Sequence, residues 1–395
     1  MKKIFFSFLC LTLALVFHSC SDDDDVAVSP TTIQLYCEEA GTDLSTFTVK
    51  VKELRSSTEY AGITDADGKV SLTLPLGAYD IVAEKSLNGG VTHFGSRLNY
   101  TLTEDNKSIR LEVKSIINAL DKTFVLDELF FNCSNNDGGY DRNYYEEYFT
   151  ITNVSDRPLF ADGLGFAICG DYNCVEDEGD KAIYLPDSIV VSQIYTIPGN
   201  GTQYLVQPGQ SLVIAHSAID HSEGGKKPNA RNLSGADFEI YVPHEFSMTT
   251  DNPEVTNLNV DYSMFQAFQW GYTGYAPLML VRPGEPLKGY IQHHIKTMDI
   301  TGSAGMMQQN YLIMPTSWII DGAEAAARDY FYHKALPDFV DRGAVLLDED
   351  AMNFGGFNSL FVKRKSAAEG YLQDTDNSTY DFDVIPNGQK DYPVK

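Results

Sequence analysis

The sequence is poor in positive charge. It contains 29 lysine and arginine residues against 55 aspartate and glutamate residues, which gives a formal net charge of -26 at pH 7. A chain with this excess of carboxylates repels the phosphate backbone of nucleic acids. The composition therefore argues against nucleic acid as a partner and suits a cation, a basic ligand or a positively lined protein surface.

Long hydrophobic runs are also scarce. After residue 17, no segment approaches the roughly 18 to 20 apolar residues that a membrane-spanning helix needs. The one apolar run, residues 4–17, follows Lys2 and Lys3 and is separated from Cys20 only by His18 and the small residue Ser19. This order is typical of a signal peptide, which we assign to residues 1–19. We therefore expect no transmembrane helix in the mature chain.

Recognisable catalytic motifs are missing as well. The sequence has no Gly-x-Ser-x-Gly elbow, no glycine loop that could cradle phosphate and no His-Glu-x-x-His motif. His244 and Glu245 are adjacent, but the second histidine of that motif does not follow. We therefore predict that the protein is not an enzyme. An extracellular hydrolase with a pair of carboxylates stays an alternative, because acidic residues are abundant.

The residues around Cys20 resemble the lipobox of bacterial lipoproteins, in which the cysteine is lipidated after cleavage. The resemblance implies attachment to outer-membrane lipid through Cys20, and several acyl chains anchor a protein stably. The cysteine is followed by one serine and four carboxylates that repel one another: Ser21, Asp22, Asp23, Asp24 and Asp25. This run predicts a solvated acidic linker over residues 20–29. It also resembles the export signal of Bacteroidetes surface lipoproteins, which implies display on the cell surface.

Four thiols remain after processing, because Cys10 leaves with the signal peptide and Cys20 carries lipid. They are Cys37, Cys133, Cys169 and Cys174. Cys169 and Cys174 are close enough in sequence to bridge across a turn, and export passes through an oxidising compartment. We predict a disulfide between these two residues. A metal site is the alternative, although zinc prefers tighter cysteine spacing and nearby cysteine or histidine partners.

Residues 30–118 have the short alternating apolar runs that predict a small β-sandwich. The runs cover residues 46–51, 70–74, 79–83, 98–102 and 109–113. Asp65 and Gly68 provide a carboxylate and a flexible residue for a tight turn between strands. The turn, together with the later Gly77 and Tyr79, resembles the prealbumin-like regulatory domain of carboxypeptidases. That resemblance implies a spacer or docking domain without catalytic residues.

Residues 119–395 predict a second β-sandwich. Residues 148–156, 206–215 and 366–382 resemble the lamin-tail type of immunoglobulin-like domain, in which a strand ends at an asparagine before a turn. Here the likeness is interrupted by a long insertion at about residues 216–345. Good helix formers after Asp321 and Gly322 predict one helix over residues 323–333 of that insertion. The expected fold is thus mainly β, with two immunoglobulin-like or prealbumin-like sandwiches and a short helix.

Three groups of residues are candidate sites outside the anchor. Oxygen ligands on two acidic loops could bind Ca²⁺, although neither loop has the spacing of a known calcium loop and solvated acidic loops are the favoured explanation. The ligands are Asp137, Asp141, Asp171, Asn173, Asp177 and Asp180. Aromatic residues interrupted by glycines predict either core or an exposed ligand-binding surface; they are Phe265, Phe268, Trp270, Tyr272 and Tyr275. Ser188, between Asp187 and Ile189, matches a Bacteroidetes O-glycosylation site.

The whole chain resembles a family of Bacteroides surface lipoproteins of about 400 residues whose activity is not known. Its anchor, acidic export signal and two sandwiches predict a non-enzymatic binding or docking module on the outer membrane, facing outward. The expected partner is an extracellular ligand or a TonB-dependent outer-membrane transporter. A surface adhesin or structural tether is the alternative, because it would use the same sandwiches.

Overall fold

The computed structural model describes residues 28–86, 92–104, 107–116, 123–136, 141–170, 185–243, 249–270, 274, 276–302, 305–331, 336–348, 356–367 and 372–385. These residues form two β-sandwiches, so the expected mainly β fold is confirmed. Within these ranges, no helix is both long and apolar enough to cross a membrane.

The first sandwich contains eight strands. They are β1 (Val28–Tyr36), β2 (Thr48–Glu53), β3 (Glu59–Ile63), β4 (Lys69–Pro75), β5 (Gly77–Ser86), β6 (Thr92–Leu102), β7 (Ser108–Glu112) and β8 (Lys114–Ile116). One sheet has the order β4-β1-β7 and the other has the order β3-β2-β5-β6-β8. Alternate residues point into the shared core, as Val49 and Val51 do while Lys50 and Lys52 face outward. The strands predicted from alternation are therefore confirmed.

The predicted turn between β3 and β4 is also present. Gly68 has a φ of 72°, a left-handed conformation that glycine adopts without strain. Its amide donates to the carbonyl oxygen of Asp65 at 3.0 Å, and the Asp65 carboxylate accepts from the amides of Asp67 and Lys69. The carboxylate thus closes the turn.

The second sandwich contains most of the remaining strands. In chain order the elements are β9 (Phe124–Phe130), β10 (Ser134–Asn135), β11 (Arg142–Asn143), β12 (Tyr148–Asn153), β13 (Leu159–Phe160), β14 (Gly165–Cys169), β15 (Ser188–Thr196), β16 (Leu205–Val206), β17 (Ser211–Ala215), β18 (Phe238–Glu239), β19 (Thr256–Asn257), β20 (Asn259–Ser263), β21 (Leu278–Val281), α1 (Leu287–His294), β22 (Ile295–Gly302), β23 (Gly305–Pro315), β24 (Ile319–Ala323), β25 (Ala325–Ala327), β26 (Val345–Leu347), β27 (Phe361–Arg364), α2 (Ser378–Asp381) and β28 (Phe382–Ile385).

Two large sheets enclose the main core of this domain. The first has the order β19-β18-β17-β12-β9-β27-β28, and the second has the order β22-β23-β15-β14-β21-β24 with β20 beside β15. The second sheet is covered on its outer face by α1 and residues 336–340, which gives it a further apolar layer. Burial on both faces explains why β15 is an almost continuous run of buried residues rather than an alternating one.

The stretch expected as an insertion, residues 216–345, is part of the sandwich. It contributes β18 and β19 to the first sheet and β20 to β24 to the second. It also contains the helix α1, so a short helix is present in this stretch.

The helix predicted over residues 323–333 is wrong for residues 323–331, the part that the structure describes. Residues 323 and 325–327 belong to strands, and a 3-10 turn follows at Arg328–Tyr330. Ala323 pairs with Leu278 of β21, and Ala325 pairs with Val345 of β26. Burial of these small side chains in a sheet overrides the helix propensity of alanine, which is a weak preference.

Candidate functional site

A cleft of about 570 Å³ lies where the two sandwiches meet. One wall is β6 of the first sandwich, residues 94–101. The other is formed by the turn at residues 338–344 and by Asn377 and Thr379 of the second. Pockets of this size at domain interfaces are where small-molecule ligands most often bind. The cleft is therefore the candidate functional site.

A β-bulge shapes the first wall. Tyr79 pairs with Tyr100, but Ile81 pairs with Arg97, so β6 has an extra residue at this point. Asn99 sits in the bulge with a φ of 54° and donates its amide hydrogen to Asp80 at 3.0 Å. Bulges redirect side chains at functional sites, and this one turns Asn99 toward the second sandwich.

Gly95 allows β6 to approach the end of β7. A Cβ atom on Gly95 would overlap the carbonyl oxygen of Glu112, so no other residue fits without moving the backbone. This close approach places Glu112 and Lys114 beside β6 at the edge of the cleft.

A buried carboxylate holds the second wall. The Asp341 side chain accepts hydrogen bonds from the amides of Gly343, Ser378 and Glu324 and from the Ser378 hydroxyl. Burial raises the pKa of Asp341 to about 6, against the opposing effect of these hydrogen bonds. The carboxylate fixes the 338–344 turn against α2, and the backbone of Arg342 adds a bond to Asp376.

Ion pairs connect the two walls. Arg328 donates to Asp80 at 2.8 Å and to Asn99, and both members of the Arg328–Asp80 pair are largely shielded from solvent. Lys114 lies 3.1 Å from Asp338 across the cleft. Burial lowers the pKa of Lys114, but the hydrogen bond and charge of Asp338 outweigh it, so the pKa is raised. The Arg328–Asp80 pair is shielded and holds its geometry well, whereas Asp338 is 75% exposed and its pair with Lys114 adds little, so the shape of the cleft depends mainly on Arg328.

Two arginines of the cleft have no carboxylate partner among the described residues. The Arg97 guanidinium stacks on the Tyr100 ring at 4.6 Å and donates only to a backbone carbonyl. Arg342 donates to the carbonyl oxygen of Thr375, and its buried Nε atom has no hydrogen-bond partner in the described structure. The charge of Arg342 also acts on Lys114. The cleft thus offers two guanidinium groups that form no ion pair with a described carboxylate.

The aromatic stretch predicted as an exposed ligand surface is core at two of its positions. Phe268 and Trp270 are only 3% and 2% exposed. The Trp270 ring packs 5.5 Å from Phe131, and Gly274 packs so tightly against Phe131 that a side chain there would overlap it. The expectation of an exposed platform is wrong for these two rings, because both are buried in the main core and Gly274 packs closely beside them.

The other aromatic residues give little support to that site. Phe265 is half-buried and lines a cavity of only about 10 Å³, which is about the room of one water molecule. Tyr272 and Tyr275 lie outside the described residues.

The calcium prediction falls mostly on residues that the structure does not describe. Asp141 is exposed, whereas Asp137, Asp171, Asn173, Asp177 and Asp180 lie outside the described residues. In the described part of the chain, no three His, Cys, Asp or Glu side chains are grouped to hold a metal ion. Calcium binding at these loops stays a prediction.

The covalent predictions are likewise untested. Cys20 and the acidic run 21–25 lie outside the described residues, as does Cys174. Cys169 is buried at the end of β14. Ser188 begins β15, is half-buried and pairs with Pro315. Cys37 and Cys133 are free cysteines, Cys133 being fully buried.

Sequence reasoning missed the residues that form the cleft. Asn99 and Arg328 are 229 positions apart, so no local pattern links them. The asparagine within the apolar run of β6 was the one available signal, since asparagine tolerates positive φ and often marks a bulge or turn.

Residues 207–387 match a family model described as "Protein of unknown function (DUF4876)". Among solved structures, the chain is similar to a DUF4876 family protein from Bacteroides thetaiotaomicron VPI-5482, at 19% identity and a TM-score of 0.53. That match covers 93% of this chain and 98% of the other, and at this identity it shows the fold alone. No curated protein matches. Together the matches support the expected resemblance to a Bacteroides family of unknown function.

Proposed function

We propose that this chain is a lipid-anchored protein of the cell surface that captures a small polar ligand in the cleft between its sandwiches, without changing it chemically. The observation that carries the proposal is the cleft itself, whose volume of about 570 Å³ falls in the range of small-molecule sites. Both sandwiches supply its walls, so a ligand there would contact two domains at once.

The contacts around the cleft favour capture over a purely structural tether. A tether needs only a rigid connection between domains. Here the walls meet at Arg328 with Asp80 and at Lys114 with Asp338, and an open space remains between those contacts. A site that is shaped before the ligand arrives loses little conformational entropy on binding.

The location is proposed from the sequence. Lipid on Cys20 would hold the protein on the outer membrane, and the run Asp22, Asp23, Asp24 and Asp25 would direct it outward. A surface-exposed capture protein suits transfer of its ligand to a TonB-dependent transporter. The partner in this proposal is therefore that transporter.

The capture proposal is tested by filling the cleft. Ser96 lines it and is half-buried, whereas Thr73 on β4 is exposed and lies outside it, so Ser96→Trp and Thr73→Trp form a matched pair. The mature protein is mixed with a panel of water-soluble disaccharides and dipeptides, neutral and acidic, and binding is read by saturation-transfer NMR.

We expect at least one member of the panel to bind the wild type and Thr73→Trp but not Ser96→Trp. If no member binds, or if binding survives Ser96→Trp in a protein with normal melting behaviour, the cleft is not the capture site.

The location proposal has a separate test. Alanine at positions 22–25 should leave Cys20 lipidated, as read by mass spectrometry, but should protect the protein from protease added to whole cells. Cys20→Ser is the control that should release the protein from the membrane. Unchanged protease sensitivity in the alanine variant would refute the export role of the aspartates.

A further inference from the structure

We propose that the ligand of the cleft is an acidic sugar, meaning a hydroxyl-rich ring that bears one carboxylate; this rests on the proposed capture function. Two unpaired guanidiniums in one cleft point to an anion. Elsewhere in the described chain, Arg328 and Arg364 are paired with aspartates, whereas Arg110 stacks on Tyr36 and Arg282 donates to backbone carbonyls. Arg97 and Arg342 differ from these last two because both line the same cleft.

The lining has no net charge, so an anion would be held by the two guanidiniums that lack a carboxylate partner, and one negative charge suits them better than two. This lining contains three cations, Arg97, Lys114 and Arg342, and three acids, Glu112, Asp338 and Asp341. Lys114 is already held by Asp338 at 3.1 Å and by Glu112 at 3.6 Å. Two guanidiniums therefore remain for the ligand. A carboxylate matches the planar fork of a guanidinium, and a doubly charged phosphate would face the neighbouring acids.

The neutral part of the lining suits hydroxyl groups. Besides the two arginines, the walls present the short polar side chains of Ser96, Thr101 and Asn377, while those of Asn99 and Thr379 are already bonded to Arg328 and Ala344. Asn377 is 8% exposed, and its Oδ1 atom has no hydrogen-bond partner among the described residues. An unsatisfied buried acceptor costs free energy until a donor reaches it, and a sugar hydroxyl is such a donor.

Arg342 can follow the ligand. Its side chain is half-buried, and the guanidinium is held in the described structure by one carbonyl, that of Thr375 at 3.3 Å. A rotation of this long side chain would turn the unpartnered Nε atom toward a carboxylate in the cleft. The Oδ1 atom of Asn377 sits against Gly343, the next residue, so the two unused groups share one wall.

Four small molecules test separately whether the carboxylate and the hydroxyl groups are recognised: D-glucuronate, D-glucose, D-glucose 6-phosphate and cyclohexanecarboxylate. The first three differ only at one carbon, and the fourth has the carboxylate without the hydroxyls. We expect glucuronate to bind at least roughly tenfold more tightly than each of the others, by NMR titration at low salt, because charged hydrogen bonds add to those of the hydroxyls.

The arginine variants supply the residue-level test. Arg97→Gln and Arg342→Gln should each weaken glucuronate binding by roughly tenfold. Arg110→Gln is the matched control, because Arg110 stacks on Tyr36 at 4.5 Å as Arg97 stacks on Tyr100 but does not line the cleft. Arg97 is exposed, so Arg97→Gln carries the test if Arg342→Gln does not fold.

The outcomes are distinct. Equal binding of glucose and glucuronate, tighter binding of glucose 6-phosphate, or equal loss in Arg110→Gln would each overturn the acidic-sugar assignment while leaving capture in place. If only dipeptides from the earlier panel bind in the cleft, the sugar assignment is wrong and capture stands. If neither panel binds, the capture function itself fails.

Discussion

The guanidinium of Arg364 and the carboxylate of Asp321 join the two sheets of the second sandwich from within its core, with Nη2 2.7 Å from Oδ2. Asp321 lies on β24 of one sheet and Arg364 on β27 of the other. Both side chains also bind Leu126 of β9, Asp321 through the amide and Arg364 through the carbonyl oxygen. The three residues form a closed ring of hydrogen bonds across the sandwich.

Replacing Arg364 with methionine should destabilise the protein strongly. The change would leave the buried carboxylates of Asp321, Asp374 and Asp381 without their shared cation. Loss of one partner of a buried ion pair costs about 3–5 kcal/mol, which urea unfolding would measure. Lys365→Met is the control, since its partner Asp383 is 60% exposed. Equal losses of unfolding free energy in both variants would show that the buried network of Arg364 stabilises the protein no more than an exposed ion pair does.

Truncation of the buried aromatic rings should lower the stability of the folded protein. We expect Phe268→Ala and Trp270→Ala each to lower the free energy of unfolding by about 3–5 kcal/mol, because both rings lie in the main core. Phe339→Ala is the control, because that ring is 53% exposed. Melting curves decide the matter: a small shift for Trp270→Ala would restore the exposed surface expected from the sequence.

The buried Asp341 should make stability depend on pH. Its pKa is raised to about 6 in the folded chain, above the ordinary value of 3.8, so between those values the folded chain keeps a proton that the unfolded chain releases. Stability from this group therefore falls as pH rises through that window and stays low above it. Asp381, whose pKa burial also raises to about 6, acts in the same direction.

Asp341→Asn isolates that contribution. Relative to wild type, the variant should gain stability as pH rises from about 4 to about 7, by up to roughly 3 kcal/mol, because it has no group to titrate. Urea unfolding at several pH values measures the difference between the two proteins. A difference that is constant with pH would mean that Asp341 titrates near its ordinary range. Thr73→Ala, at an exposed position of β4, controls for general effects of mutation.

Cysteine labelling should divide the four mature thiols into two classes. In denaturant without reductant, Cys37 and Cys133 should react with iodoacetamide, whereas Cys169 and Cys174 should be recovered as one linked peptide by mass spectrometry. In the native protein Cys133 should stay unlabelled, because burial raises its pKa and blocks access. A peptide that links Cys169 to Cys37 or Cys133 would contradict the predicted pairing.

The strands of the first sandwich were predictable because each has one face in the core and one in water, as in β2. That period of two is a local property of the sequence. In the second sandwich, burial on both faces removes the alternation. The sequence therefore shows that β15 is apolar but does not show which strands it pairs with or which sheet it belongs to. The alanines at 323–327 were misassigned because only their partners in β21 and β26 decide their conformation.

The cleft was beyond prediction for a related reason. Its walls come from β6, the 338–344 turn and the segment around Asn377, which are brought together only by the completed fold. The unpaired state of Arg97 and Arg342 is likewise a property of three-dimensional neighbours. By contrast, the anchor and export predictions rest on contiguous residues, which is why the sequence alone could suggest them.

The hydrogen bond between Arg364 and Leu126 spans 238 residues, and this separation dictates an order of events as the chain is synthesised. The first sandwich is complete at Ile116 and can close early. Strand β9, made next, must wait for β27 before its second edge is covered, and an open edge invites pairing with other chains. The second sandwich can therefore be completed only after residue 364 has emerged, and until then the open edge of β9 is a site at which other chains could pair.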